Sequence, residues 1–142
     1  MKTNIDLQQL VESVGDAIIV ADANERIALW NPAATRIFGY SEEEALGRTL
    51  DMIVPDRQKH QHNVGYSHSM ETGTTRYGTS LLKVPAKHKD GSKLSIAFTV
   101  GMLFDQNHKA NGVVAIIRDE TARFAEDRAL KKRISDLENP QI

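Results

Sequence analysis

The chain has 142 residues, 40% of them hydrophobic and 6% aromatic, with a formal net charge of −1 at pH 7. That length and composition suit one folded domain around a single core and exclude a disordered segment. The near-neutral balance offers no basic surface for a nucleic acid, and no apolar run approaches the roughly 20 residues of a membrane span. The absence of cysteine excludes disulfides, thiolate metal sites, thiol catalysis and covalent flavin–cysteine chemistry. With no apolar leader in Met1-Lys2-Thr3-Asn4-Ile5-Asp6, a cytoplasmic location is expected.

Ile5, Leu7, Leu10, Val11 and Val14 recur at helical spacing, which predicts a short N-terminal helix within residues 1–14 that caps the domain or meets a second copy. Gly15-Asp16 breaks it. Ala17 to Ala21 is rich in β-branched residues, Asp22-Ala23-Asn24-Glu25 reads as a tight turn, and Arg26 to Trp30 alternates as a returning strand. Asn31 is placed to cap a helix that starts at Pro32 and ends at Gly39, with Ala33, Ala34, Ile37 and Phe38 as its buried face. Ser41 and Glu44 have capping-box spacing for the next turn, which Gly47 stops. Thr49 to Pro55 reads as a further helical turn, and Asp56 to Glu71, closed by Thr72-Gly73, as the long helix of the middle region.

Ser80 to Lys89 is extended, and Asp90-Gly91 signals a hairpin into Ser92 to Val100, where Leu94, Ile96, Phe98 and Val100 share one face. A polar loop, Asp105 to Asn111, precedes the apolar strand Gly112 to Arg118. Two strands, several helices, three strands and a last helix predict an α+β fold: a five-stranded antiparallel sheet with helices packed on one face. Residues 15–121 form that domain and residues 122–142 a terminal helix. Leu130, Ile134 and Leu137, with Ala122-Arg123-Phe124 as an earlier turn, sketch a heptad seam and predict a homodimer through the terminal helices. The alternative is a helix folded onto its own domain.

No Gly-x-Ser-x-Gly elbow, P-loop, zinc spacing or glycine-rich dinucleotide turn is present, so the domain is expected not to be an enzyme; Asp51 and Asp56 read as caps and solvated charge. The long helix carries the chemistry. His60, Val64 and His68 form one stripe; His62, Tyr66 and Met70, with Gly65 and Ser69, form another that is more apolar and therefore expected to face inward. Neutral imidazole is a common haem iron ligand, and His62 is so placed. His60 and His62 lie about 200° apart around a helix and cannot share one ion. Trp30 reads as core packing and His88 as solvent-facing.

Asp16-Ala17-Ile18, Trp30-Asn31-Pro32-Ala33-Ala34, Phe38-Gly39-Tyr40, Glu44-Ala45-Leu46-Gly47, Ile53-Val54-Pro55, Thr72-Gly73, Lys89-Asp90-Gly91 and Arg118-Asp119-Glu120-Thr121 follow one another in an order and spacing that resemble a bacterial PAS domain from Val11 to Arg123. The resemblance implies the PAS fold with an N-terminal cap helix and a C-terminal signalling helix. It also implies a sensory or dimerisation module of a histidine kinase, cyclic-dinucleotide enzyme or transcription regulator whose output domain is not in this sequence. Asp119-Glu120-Thr121 is similar to the family's Asp-Ile-Thr junction, departing from it at Glu120, which implies that Asp119 and Thr121 relay a signal into the last helix. The family's pocket lies between the sheet and the long helix, and here Tyr66, Met70, Leu82, Ile96, Phe98 and Met102 would line it. In the oxygen-sensing haem PAS domains of rhizobial kinases the proximal histidine sits on this helix; counting back from Lys89-Asp90-Gly91, His62 takes that position. Leu82 stands where those sensors place a gas-gripping arginine. The substitution implies a preference for CO or NO, or closure of the sixth site by Met102, with Arg76 in the nearby loop as a substitute arginine. A flavin or other small organic ligand, and a ligand-free dimerisation and relay module, are the alternatives to haem.

Overall fold

The protein was analysed as a computed structural model that describes residues 4–75 and 77–138; Arg76 lies outside them. Local signals set most element boundaries. The Asp6 carboxylate accepts from the Gln8 and Gln9 N–H groups and opens α1 (Leu7–Ser13). Asn31 caps α2 (Pro32–Phe38), whose proline sits where no intrahelical N–H is needed. At its end Gly39 adopts φ 86°, a left-handed conformation that would strain a residue bearing Cβ. Ser41 and Glu44 form the full capping box of the single turn α3 (Glu42–Ala45), each bonding the other's backbone N–H. Pro55 disfavours helix in the residue before it. The chain therefore passes through two short 3-10 turns, Leu50–Met52 and Asp56–Gln58, before α4 (Lys59–Thr72), where the sequence suggests longer α-helix.

Among the described residues five strands form one sheet: β1 (Ala17–Asp22), β2 (Ile27–Trp30), β3 (Leu82–Lys87), β4 (Lys93–Phe104) and β5 (Ala110–Asp119), in the order β2-β1-β5-β4-β3. Each neighbouring pair is antiparallel. β4 runs on past Val100 because Gly101 to Phe104 stay paired with β5. The register aligns Leu82, Phe98, Ile117 and Ala17 in one transverse row and Met102, Val113 and Ala21 in another. Alternation then puts all of them on the helix-covered face. Gly112 is required by contact: a Cβ there would lie 2.8 Å from the Ala21 carbonyl oxygen.

The core fills one end of that face. Ile19, Trp30, Phe38, Tyr40, Met52, Ile53, Leu94, Ile96 and Ile117 are buried together, and a buried side chain of this size contributes roughly 1.5–3 kcal/mol. Trp30 is core packing, with its ring 5.8 Å from that of Phe38 and its indole N–H shared between Thr35 Oγ1 and the Tyr40 carbonyl. Asn31, 2% exposed, uses its whole side chain. Oδ1 accepts from Ile18 and Ala34 N–H, and Nδ2 donates to the Val11 and Asp16 carbonyls, tying α1, β1 and α2 together.

His88 departs from expectation. It is half-buried, its ring packs against Gly39, and Nδ1 accepts from the Asp90 N–H at 3.0 Å. α5 (Thr121–Glu138) leaves the domain, and every residue from Ala122 to Glu138 is exposed. It does not fold back onto its own sheet.

Candidate functional site

α4 crosses one end of the sheet. Its inward stripe is the one the spacing indicates: Tyr66 is buried, His62 and Met70 are half-buried, and His60, Val64 and His68 are exposed. Tyr66 fixes the helix by donating its hydroxyl to the Asp22 carbonyl at 2.6 Å. Burial, then the negative charges of Glu25 and Asp22, hold the Tyr66 phenol well above its ordinary pKa, so it is a neutral donor throughout the physiological range. At the other end of α4, Gly73 caps the helix against the Phe104 ring of β4.

The remaining expected lining residues sit on the inner sheet face. Ile96 is 6% exposed and belongs to the packed core. Leu82, Phe98 and Met102 are half-buried, as are Val100 and Ala115 beside them, and Val84 is 40% exposed. Phe98 and Ala115 pack against the core, and Leu82, Val84, Val100 and Met102 beyond them form an apolar wall only partly covered by side chains. His62, Tyr66 and Met70 approach from the helix; Leu82, Phe98 and Met102 stand on strands.

His62 has neighbours the sequence does not announce. Its Nδ1 lies 2.9 Å from Glu25 Oε1. Glu25, in the β1–β2 turn, has φ 66°, a region a glutamate rarely occupies. Asp22 Oδ1 shapes that turn by accepting from the Asn24 and Arg26 N–H groups. The chain after α3 then runs beside β2, with Ile27 N–H donating to the Arg48 carbonyl and Leu50 N–H to the Glu25 carbonyl. This brings Asp51 to the same place. One ligand-type atom each of Glu25, Asp51 and His62 lies within 4.8 Å of the others. Asp56, by contrast, is solvated as expected, 85% exposed and paired to Lys59 at 2.8 Å.

At the opposite edge, Thr121 anchors the start of α5. Its Oγ1 accepts from the Ser95 N–H at 3.0 Å and bonds the Asp119 carboxylate, which also accepts from the Thr121 N–H. Glu120 donates its backbone N–H to the Ser95 carbonyl. The middle residue of the junction is therefore held by its backbone, so an acidic side chain is tolerated there.

A five-stranded antiparallel sheet in this order, with a long helix laid across a partly covered apolar wall, defines a sensory module of α+β type. The chain belongs to the PAS family: the PAS fold matches residues 5–119. It is 28% identical over 130 residues to the oxygen sensor protein DosP of Escherichia coli, a match covering 87% of this chain and 16% of that protein. It is 26% identical over 131 residues to the sensor protein FixL of Bradyrhizobium diazoefficiens, covering 92% of this chain and 26% of that one. The chain thus spans about a quarter or less of these relatives. Among solved structures, the PAS domain of a Colwellia psychrerythraea protein superposes with a TM-score of 0.71 at 25% identity, covering 82% of this chain and 95% of that one. An RNA-binding light-oxygen-voltage receptor shares the fold, with a TM-score of 0.70 at 19% identity over 91% of this chain and 36% of its own.

Proposed function

We propose that this domain is a cytoplasmic sensor that holds a planar apolar guest between α4 and the inner wall, with haem iron on His62 as the specific form. The observation that carries the reading is the setting of His62. It lies on the inward stripe of α4, its Nδ1 faces a carboxylate at 2.9 Å, and its other ring nitrogen is left for a metal. A ligating histidine commonly directs its second nitrogen to a carboxylate; a small turn of the His62 ring would align Nδ1–H with Glu25 at the separation found. Leu82, Phe98, Val100 and Met102 supply an apolar wall for a macrocycle. Haem would supply an iron that binds diatomic gases or changes redox state. Leu82 offers no hydrogen bond to a bound gas, which favours CO or NO over O₂. The similarity to an oxygen sensor protein and to a sensor protein supports a sensory rather than catalytic role.

The relay would run from the wall through β5 to Asp119 and Thr121 and into α5, and from there to an output domain in the natural protein or a partner. A differential binding energy of about 1–3 kcal/mol between two arrangements of the terminal helices suffices for regulation. Expression with added haem precursor tests the reading: a Soret band is expected, and His62→Ala should remove it. A colourless protein that ignores added haemin defeats the haem form.

A second reading, a ligand-free dimerisation and relay module, is favoured by one observation. Leu130, Ile134 and Leu137 are 56%, 54% and 74% exposed along one face of α5, a stripe that a second copy would cover. Undenatured mass spectrometry separates the two readings, since only a sensor carries a bound small molecule.

A further inference from the structure

Five buried side-chain nitrogen or oxygen atoms among the described residues have no hydrogen-bond partner: Glu25 Oε1, Asp51 Oδ1, Gln58 Oε1, His62 Nδ1 and Asn63 Oδ1. Native proteins pair nearly all such atoms, and an unpaired one marks strain, a functional role, or a bound ion or water. These five do not scatter. Gln58 precedes His62 by one helical turn, Asn63 follows it, and one ligand-type atom each of Glu25, Asp51 and His62 lies within 4.8 Å of the others. Glu25 and His62 are within ion-pair distance yet share no aligned hydrogen bond.

We infer that, in the haem-free state, Glu25, Asp51 and His62 Nδ1 bind a divalent first-row cation of the zinc class. Two carboxylates and one imidazole form a mixed oxygen–nitrogen donor set that suits such an ion, and its double charge balances the two acids. Adjacent donors about 2.1 Å from one tetrahedral ion lie about 3.4 Å apart, so the 2.9 Å between Nδ1 and Oε1 would open by about half an ångström as the ion enters. Lys59 feels the charge of Asp51 but is paired to Asp56 at 2.8 Å, and Asp51 Oδ1 has no hydrogen-bond partner among the described residues. Asp51 also lines a surface cleft of about 250 Å³ with Thr49, Met52, Arg48, Lys59 and Lys87, a route to solvent that an entering cation shares with three basic side chains.

The site uses the same imidazole as the haem reading but does not rest on it. Iron on one ring nitrogen leaves Nδ1–H facing Glu25, whereas a cation on Nδ1 requires the opposite tautomer. The two occupancies therefore exclude each other.

The test uses the full chain, expressed without haem supplement and stripped with a chelator. Calorimetric titration with Zn²⁺ should show one site per chain, weakened at least tenfold by Glu25→Gln or Asp51→Asn and abolished by His62→Ala. His60→Ala and His68→Ala, on the exposed stripe, should leave it unchanged. Imidazole nitrogen shifts in NMR should place the ion on Nδ1 of His62. Zn²⁺ should slow haemin uptake by the wild type and not by Asp51→Asn. Failure of haemin to bind at all leaves the zinc titration standing. Absent or multi-site binding, or binding indifferent to both carboxylate variants, overturns the cation site and leaves a water-filled polar pocket. Haemin uptake unaffected by Zn²⁺ in a chain that binds both overturns the exclusion.

Discussion

Asn31 shows how much one side chain can organise. All of its hydrogen-bonding groups are engaged at 2% exposure. Asn31→Ala strands two backbone N–H groups and two carbonyls, and should cost about 2–4 kcal/mol of stability, read as a shift in the urea midpoint. Glu25 presents the opposite case. Its φ of 66° is a conformation glycine adopts without strain. Glu25→Gly should therefore raise the thermal midpoint, by about 1 kcal/mol of relieved backbone strain, while removing the carboxylate beside His62. A lowered midpoint would mean that the half-buried glutamate is needed for the fold itself. Glu44 adds a pH dependence. Its hydrogen bond to Lys89, then that to the Ser41 backbone N–H, lower its pKa from the ordinary 4.5 to about 2. Folding thus favours the ionised carboxylate. The associated stability is fully present above pH 4.5 and is lost as the pH falls toward 2. The melting difference between wild type and Glu44→Gln should accordingly shrink on acidification through that window.

At the scale of elements, what could be read from the sequence was what local chemistry encodes. Asn31-Pro32, Ser41 with Glu44, and Gly73 each act within one helical turn, so helix ends were legible there. Alternation in β4 was legible to Val100 but not beyond, because Gly101 resembles a break until β5 is seen to pair with it. The polar cluster was illegible. Glu25, Asp51 and His62 stand on three segments, 26 and 11 positions apart, and only the pairing of residues 47–50 alongside β2 brings them together. Asp51, five positions before the exposed Asp56, carried no mark distinguishing it from a solvated charge. His88 misled for a related reason: a polar residue beside a turn reads as exposed, and only the fold places Gly39 under its ring. The same tertiary closeness makes Gly112→Ala a sharp test. A methyl group there meets the Ala21 carbonyl, and the β1–β5 register predicts a loss of about 1–3 kcal/mol.

For the whole molecule, the distribution of apolar surface is what matters. The inner sheet face is sealed around Trp30, Phe38 and Ile117, with Phe98 and Ala115 packed against that core, while Leu82, Val100 and Met102 on the same face are half-covered. Outside the domain, α5 projects an apolar stripe with no cover of its own. Leu130→Asp and Ile134→Asp should weaken self-association in sedimentation without moving the domain's melting midpoint; an unchanged oligomer would remove the terminal helix from the relay. The wall and the helix belong to one account only if something occupies the first and is felt by the second. The most direct measurement is a haemin titration of the wild type and His62→Ala, followed in the Soret region. Stoichiometric uptake by the wild type with a sharp band, lost in His62→Ala, is the predicted result. Equal, weak and featureless absorbance in both proteins would contradict it.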